Sequence, residues 1–423
     1  MKKLKKILLF IYILGFVFFE NALSQSGWTN LNIGVRNYVE VNFINSSTGF
    51  IIGDDKTILK TTNTGLNWII VLPNIINPTP AKGGSFNTEN IFSMFFTNQI
   101  YFTTNAGISW NYNSIQPAGN GIVQLRSITI TNDTTGYVCG SDFGLLEQNL
   151  YLDGIIYKTT NSGANWFQSF RGGFDYYDIK FINEMTGYAI WAGVMKTTNG
   201  GGHWVYAGEV SGSTFSLSLP SDDTLYMSSD RGKIYRSINR AISWDTVQTP
   251  AIDTLKQINF VNAKTGYACG DSGAIVKTTN AGLNWNLQFT GTAINLKSIW
   301  FINKDTGFAV GDNGKILRTF TGGLMVDVKS NSEIIPNNIV LSQNYPNPFN
   351  PVTNLEFGIS DLGFTSLKVY DMLGKEVSTL VNEKLNPGTY KVEFDGSSLP
   401  GGVYFYRLTS GDFTDTRRMM LIK

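Results

Sequence analysis

One nine-residue stretch returns along almost three hundred residues of this chain and restricts the folds that the chain can adopt. Its clearest copy is Lys277-Thr-Thr-Asn-Ala-Gly-Leu-Asn-Trp285. Five further copies, two of them worn, end at Trp68, Trp110, Trp166, Trp204 and Trp244. In each copy an alternating strand leads to a turn, and the Trp begins the next strand; the turn has the form Asn-x-Gly in every copy except the one that ends at Trp244. The Asn side chain can form a hydrogen bond with the nearby backbone, and Gly tolerates a positive φ. Both properties suit a tight turn, so the copies predict repeated β-hairpins.

The spacing of these Trp residues predicts the blades of a β-propeller. Successive copies lie 42, 56, 38, 40 and 41 residues apart, and a period of about 40 with four short strands is typical of propeller blades. A helical solenoid would show a 3.6-residue apolar period, which these units lack.

The last unit lacks its Trp, and the start of the chain offers a substitute. No Trp follows Thr321-Gly-Gly323, whereas Gly27-Trp28-Thr-Asn-Leu31 reads like the strand that follows each turn. We expect this strand to close a ring of seven blades, because pairing removes an exposed sheet edge. Seven Trp residues would then be equivalent: Trp28, Trp68, Trp110, Trp166, Trp204, Trp244 and Trp285.

The repeated motif resembles the Asp-box of sialidase-type propellers, Ser/Thr-x-Asp-x-Gly-x-x-Trp, with Asn where that family usually has Asp. Together with the Thr-Gly-Tyr and Thr-Gly-Phe pairs upstream, residues 28 to 323 resemble the photosystem II assembly factor family of seven-bladed propellers. The resemblance implies an all-β chain with a seven-bladed β-propeller in residues 25–324. An Asp-box is structural in its family, so the motif implies no catalysis.

The first residues have the pattern of a secretory signal peptide. Four lysines precede the apolar run Ile7 to Phe19, and Ala22-Leu-Ser24 supplies small residues for cleavage, which predicts a signal peptide over 1–24. A membrane anchor is the alternative, but the run is shorter than the ~20 residues needed to span a bilayer. No later stretch is long and apolar enough to be transmembrane, so the mature protein is expected to be exported.

The last 85 or so residues predict a second module. Residues 325–338 read as a polar linker, and residues 339–423 combine a Pro-rich entry strand with alternating strands, which predicts a small Ig-like β-sandwich. The alternative is an ordinary adhesion-like sandwich that stays attached.

This module resembles the type A sorting domain of the type IX (Por) secretion system. The resemblance lies in Tyr345-Pro-Asn-Pro-Phe349, Val369-Tyr-Asp-Met-Leu-Gly-Lys-Glu-Val377, Leu399-Pro-Gly-Gly-Val-Tyr-Phe-Tyr406 and Arg417-Arg-Met-Met-Leu-Ile-Lys423. It implies passage through the periplasm, recognition by the type IX machinery, and a final place outside the cell or on the outer-membrane surface. The sorting-signal residues that it implies are Pro346, Asn347, Pro348, Phe349, Gly374, Arg417, Arg418 and Lys423.

Charge and cysteine usage restrict the partners. A formal net charge of +1 provides no field that would attract nucleic acid, so no nucleic-acid partner is expected.

Cys139 and Cys269 occupy an apolar slot of the repeat and are expected to be buried thiols. A disulfide is the alternative, but the two lie three blades apart and a bridge needs Cα atoms within ~7 Å.

A long insertion in blade three is the candidate binding site. The segment Ser141 to Asp153 makes this blade longer by about 11 residues, on the rim opposite the Asn-x-Gly turns. With the long segment Pro73 to Asn90 it would form a rim that holds an extracellular protein or glycan. The candidate contacts are Phe143, Tyr151, Asp142 and Glu147. A tolerated surface insertion is the alternative.

Catalytic signals are weak. The only histidine, His203, fills a turn place that is Asn in other copies, and the arginines show no spacing that marks a sialidase triad. Gly270-Asp-Ser-Gly273 and Gly311-Asp-Asn-Gly314 are expected to be β-turns, with calcium loops as the alternative. We therefore expect no cofactor, no metal and a non-catalytic binding module. The alternative function is a sialidase-like or xyloglucanase-like glycoside hydrolase that uses paired carboxylates on the rim.

Overall fold

The computed structural model describes residues 27–31, 33–34, 36–71, 75, 77–146, 149–323, 329–330, 336, 338–385, 387–397 and 399–422. The predicted signal peptide, Glu147, Lys423 and most of the predicted linker lie outside these ranges. The described residues form nine four-stranded antiparallel sheets and a single short 3-10 helix, Asp271–Gly273. None of the helical structure in these ranges is long and apolar enough to cross a membrane.

Seven of the sheets form a ring. Blades one and two contain β2 (Tyr38–Phe43), β3 (Gly49–Gly53), β4 (Ile58–Thr61), β5 (Ile69–Val71), β6 (Gly83–Phe86), β7 (Phe92–Phe95), β8 (Gln99–Thr103) and β9 (Asn111–Ser114). Blades three and four contain β10 (Asn120–Ile130), β11 (Gly136–Leu146), β12 (Asn149–Thr159), β13 (Phe167–Arg171), β14 (Asp178–Phe181), β15 (Gly187–Ile190), β16 (Gly193–Thr197) and β17 (Val205–Glu209). Blades five and six contain β18 (Thr214–Ser218), β19 (Leu225–Ser229), β20 (Lys233–Ser237), β21 (Asp245–Gln248), β22 (Leu255–Phe260), β23 (Gly266–Gly270), β24 (Ile275–Thr278) and β25 (Asn286–Gln288). Each innermost strand contacts the innermost strands of both neighbouring blades, so the structure is a seven-bladed β-propeller.

The ring is closed by the amino-terminal strand. Blade seven consists of β26 (Leu296–Phe301), β27 (Gly307–Gly311) and β28 (Ile316–Gly323), and β1 (Gly27–Asn30) is its fourth strand. Gly27 pairs with Gly323, and Asn30 pairs with Leu317. Trp28 is only 3% exposed and meets Phe301 edge-on at 5.7 Å. This is the closure that the sequence predicts.

Each repeated turn is held by its own side chains. In blade six, the hydroxyl of Thr278 donates to Oδ1 of Asn280 at 3.0 Å, and this oxygen also accepts the backbone N–H of Asn284 at 3.0 Å. The N–H of Gly282 donates to the Thr278 hydroxyl oxygen at 3.0 Å. Because these bonds lie within seven residues, the motif folds in the same way in every blade where it occurs.

The Trp of each turn takes part in packing between blades. Tyr226 of blade five stacks on Phe260 of blade six with ring centroids 3.8 Å apart, and Phe260 meets Trp285 edge-on at 5.8 Å. The same triplet recurs as Tyr137, Phe181 and Trp204, and as Tyr267, Phe301 and Trp28. Trp28, Trp204 and Trp285 are buried, whereas the other four residues of the series are half-buried: Trp68, Trp110, Trp166 and Trp244.

Side chains also join the blades around the axis. The innermost strands have no further strand to pair with, so their N–H groups need other acceptors. The hydroxyl oxygen of Ser298 accepts the N–H of Val41 at 3.0 Å, and Oδ2 of Asp178 accepts the N–H of Leu217 at 2.8 Å. Each such bond crosses from one blade to the next.

The remaining two sheets form the C-terminal sandwich. One contains β29 (Lys329–Ser330), β30 (Val340–Leu341), β31 (Val352–Ile359) and β34 (Gly388–Asp395), and the other contains β32 (Gly363–Tyr370), β33 (Glu376–Leu385), β35 (Gly402–Ser410) and β36 (Phe413–Leu421). Both sheets contribute to one apolar core. Lys329–Ser330, which the sequence placed in an irregular linker, instead pairs with Tyr390 and Lys391 of β34.

Candidate functional site: the blade-three flap

The inner three strands of blade three are much longer than those of the other blades. Strands β10, β11 and β12 each have 11 residues, whereas the other described propeller strands have three to eight. Their pairing continues to Asn120 opposite Leu145 and to Asn149 opposite Leu146. The fourth strand, β13, pairs only with Ile155 to Lys158. The projecting part, residues 120–124, 141–146 and 149–154, is called the blade-three flap below.

One face of the flap carries apolar side chains. Ile122 pairs with Phe143, and Phe143 pairs with Leu152, so these three side chains share a face. Leu145 and Leu150 are opposite each other and extend the same face. Phe143 is half-buried, but the four aliphatic residues are 48 to 87% exposed. This is a contiguous aliphatic surface on a protruding sheet, which is the kind of surface that marks an interaction site.

The other face is held to the scaffold by a buried carboxylate. Asp142 is fully buried and accepts hydrogen bonds from the Tyr151 hydroxyl at 2.9 Å and from the N–H of Ala118 at 2.8 Å. Arg171 of β13 forms an ion pair with Asp142 at 2.5 Å and with Asp153 at 3.0 Å. Desolvation, with the hydrogen bond to Asp142, raises the pKa of Tyr151. A charge that is buried and fully paired positions the flap but offers nothing to a ligand.

Two facing glycines allow Tyr151 to lie across the flap. A Cβ atom on Gly144 would lie 2.4 Å from the Cα of Gly121, and one on Gly121 would lie 2.5 Å from the Tyr151 hydroxyl oxygen. A larger residue at Gly121 would therefore clash with Tyr151, and one at Gly144 would clash with the backbone of β10.

The three predicted contacts that the structure describes do not share one surface, and the fourth, Glu147, lies outside the described residues. Phe143 lies on the aliphatic face, whereas Asp142 and Tyr151 lie on the opposite face and are used internally. Sequence reasoning missed Ile122, Leu145, Leu150 and Leu152, which form most of the aliphatic face. The alternation of Leu145 with Phe143, and of Leu150 with Leu152, was the available signal. The sequence of β10 shows no such alternation at its start, because Asn120 and Gly121 have the composition of a loop.

Two family models match parts of the sequence. Residues 343–423 match the secretion system C-terminal sorting domain, and residues 221–321 match photosynthesis system II assembly factor YCF48. A solved structure described as YCF48 bound to D1 peptide is 18% identical, covers 70% of this chain and 96% of its own, and has a TM-score of 0.56. The propeller is similar to YCF48, and the tail is similar to a secretion sorting domain.

Other propellers share the fold at lower identity. YCF48 from Cyanidioschyzon merolae is 14% identical, covers 69% of this chain and 98% of its own, and has a TM-score of 0.53. The WD40 repeats of RRP9 are 8% identical, cover 70% of this chain and 97% of their own, and have a TM-score of 0.55. None of the curated proteins matches this chain. At these identities the likeness to solved structures shows the fold alone.

The sorting domain supports export through the type IX secretion system. Those of its predicted signal residues that the structure describes lie partly in the segment 346–349 and partly in a later turn and the last strand. Phe349 is 2% exposed, and its N–H donates to the carbonyl of Met420 in β36 at 2.9 Å. Oδ1 of Asn347 accepts the N–H of Met420 at 3.0 Å, and the Pro346 carbonyl accepts the Thr353 hydroxyl at 2.7 Å. Apart from Phe349, the described residues of the set are exposed: Pro346, Asn347, Pro348, Gly374, Arg417 and Arg418.

His203 belongs to a turn of blade four, and the arginines considered for a sialidase triad include three that form ion pairs. His203 is exposed in its turn, and Arg36, Arg126 and Arg171 each pair with an aspartate of their own region. Within the described ranges, no three His, Cys, Asp or Glu residues are placed to hold a metal ion. Cys139 and Cys269 are buried free thiols, and desolvation raises the pKa of each.

One carboxyl near the axis has a shifted pKa. Glu40 accepts hydrogen bonds from Nε2 of Gln257 at 3.3 Å and from the Ser298 hydroxyl at 3.2 Å. Desolvation raises the pKa of Glu40 to about 7, with Lys180 opposing the shift and Asp178 adding to it. This carboxyl belongs to the group of side chains that form hydrogen bonds between the innermost strands of different blades.

Proposed function

We propose that this protein is exported by the type IX secretion system and acts at the cell surface or in the medium as a non-catalytic binding module. The aliphatic face of the blade-three flap is its contact surface. The exposure of Leu150 and Leu152 on a sheet whose polar groups are already paired is the observation that carries this proposal.

The chemistry of this face favours a protein partner. Branched aliphatic side chains pack well against other aliphatic side chains, and burial of each stabilises a complex by roughly 1.5 to 3 kcal/mol. Recognition of a glycan by stacking needs exposed flat rings, and Phe143 is the single aromatic residue on this face. Predicted signal-peptide removal, and anchoring or release after sorting, are part of the same proposal.

The experiment compares matched pairs of surface substitutions. The protein carrying Leu150→Ser and Leu152→Ser, and a control carrying Ile242→Ser and Leu283→Ser at exposed turns of the opposite rim, are displayed on the native cells. Cross-linking and mass spectrometry then identify neighbouring proteins. We expect cross-links from the flap to be lost in the first variant and kept in the control.

Two outcomes would contradict the proposal. Cross-links that persist after the flap substitutions would remove the flap as the contact surface. Hydrolysis products formed from extracellular glycans by the purified protein would favour the glycoside hydrolase.

A further inference from the structure

Blade four carries a tryptophan where other blades carry glycine. Trp191 follows Ile190, and register pairing makes it equivalent to Gly53, Gly270 and Gly311. It does not belong to the Trp series of the repeated turns. The ring is half-buried and packs against the core shared with Tyr176, so it is held in place while part of it stays exposed.

Trp191 is the centre of a row of three rings. Its ring lies 6.3 Å from that of Phe174, with planes inclined by 38°, and 6.1 Å from that of Tyr206, inclined by 49°. Phe174 is 60% exposed and Tyr206 is 55% exposed, so both end rings offer free surface. The row is called the aromatic strip below.

The aromatic strip is fixed from behind. Tyr176 is fully buried and meets Trp191 edge-on at 5.3 Å, and its hydroxyl donates to the Gly172 carbonyl at 3.2 Å. The backbone of Trp191 accepts the hydroxyl of Thr214 from the next blade and donates to the Gly193 carbonyl at 2.9 Å. A preorganised row loses little conformational entropy when a ligand binds.

Polar groups lie beside both ends of the strip. The Tyr206 hydroxyl donates to the exposed carboxylate of Glu209 at 3.2 Å. Asp175, which follows Phe174, forms an ion pair with Arg126 at 2.6 Å. Flat rings with a few polar groups at their margins match a sugar ring, which presents C–H bonds on its faces and hydroxyl groups around its edge.

The charged side chains beside the aromatic strip favour a neutral sugar over an acidic one. Arg126 is already neutralised by Asp175, whereas Glu209 adds a carboxylate at the other end. An acidic sugar would be repelled by this carboxylate. We propose that the aromatic strip, formed by Phe174, Trp191 and Tyr206, is a binding site for a neutral oligosaccharide. The strip adjoins the flap at Gly154, which lies against the Phe174 carbonyl, but it uses none of the residues of the aliphatic face.

The test uses purified full-length protein and defined sugars. Calorimetry and tryptophan fluorescence measure binding of neutral hexasaccharides of glucose, xylose, mannose and N-acetylglucosamine, with sialyllactose and oligogalacturonate as acidic counterparts. At least one neutral sugar should bind, and Phe174→Ala and Tyr206→Ala should each weaken its binding by up to roughly tenfold. Trp191→Ala should weaken it most, because this ring is the centre of the strip.

Tyr112→Ala is the matched control. Tyr112 is a 58% exposed aromatic residue on the equivalent outer strand of blade two, outside the strip, so its loss should leave sugar binding unchanged. Phe174 and Tyr206 are more than half exposed, so their variants keep the test valid should Trp191→Ala fail to fold. No binding of any neutral sugar at millimolar concentration, binding that survives all three substitutions, or preference for the acidic sugars would overturn the proposal. Loss of flap cross-links in the preceding experiment would leave this result unaffected.

Discussion

Gly282 shows what the repeated turn demands of a single residue. Its φ is 72°, and a Cβ atom there would lie 2.5 Å from the ring of Tyr226 in the neighbouring blade. Both the backbone conformation and the packing of the next blade therefore favour glycine here, whereas the equivalent residue of blade five, Ala241, keeps a φ of 71°. The turn is thus a contact between blades as well as a local structure.

Substitution of Gly282 separates these two effects. Gly282→Ala should lower the free energy of unfolding by roughly 2 to 5 kcal/mol, because strain at positive φ adds to the clash with Tyr226. Gly291 has a φ of 67° and nothing within 4 Å of a Cβ atom, so Gly291→Ala should show the conformational strain alone, about 1 to 2 kcal/mol. Urea unfolding of both variants measures the difference. Equal losses would show that the ring of Tyr226 gives way without cost.

Glu40 predicts a dependence of stability on pH. Its pKa is about 7 in the folded protein against an ordinary value of 4.5 for Glu, so the folded state holds a proton that the unfolded state releases in this interval. The contribution of Glu40 to stability is complete below pH 4.5 and is lost as the pH rises to about 7. The groups that oppose and add to the shift are Lys180 and Asp178.

Glu40→Gln removes this titration. The variant should gain about 1 to 3 kcal/mol relative to the unsubstituted protein between about pH 5 and pH 8, as measured by urea unfolding at each pH. Glu89→Gln is the control, because Lys60 lowers the pKa of Glu89 and its contribution is lost only as the pH falls below that interval. A constant difference between Glu40→Gln and the unsubstituted protein would contradict the prediction.

At the scale of the element, β1 depends on one side chain. Trp28 is the buried residue of a four-residue strand, and it packs in the same core as Tyr267 and Phe301. Trp28→Ala should lower the free energy of unfolding by roughly 3 to 5 kcal/mol and expose the outer edge of β28. Thermal unfolding gives the first effect, and hydrogen exchange at the amides of β28 gives the second. A melting temperature equal to that of the unsubstituted protein would show that β1 does not close the ring.

Elements differ in how far the sequence determines them. The turn ending at Trp285 was predictable because its hydrogen bonds involve residues two to four positions apart. The faces of the flap were not, because they depend on register with β10, whose first residues have no alternating pattern. The aromatic strip was also hidden, since Phe174 and Tyr206 meet Trp191 only through packing of separate segments. Trp191 at a glycine position of the repeat was the one readable sign of it.

For the whole molecule, the buried Phe349 couples the stability of the sorting domain to export. Its ring lies 5.9 Å from that of Phe394 in the common core. Phe349→Ala should destabilise this domain by roughly 3 to 5 kcal/mol, and the protein should accumulate in the periplasm. Leu373→Ala, at a residue 93% exposed in a turn of the same domain, should be exported normally. Immunoblots of periplasm and medium measure both, and equal export of the two variants would contradict the prediction.

The pairing of Gly27 with Gly323 also sets an order of events in time. The residues of β1 must wait for a partner that the ribosome adds nearly three hundred residues later, so every shorter nascent chain leaves one blade incomplete. Loop-closure entropy makes such distant pairing slow. Until β28 has been synthesised, β1 has no strand to pair with. The propeller can therefore close only when both ends of its chain are present in the same compartment.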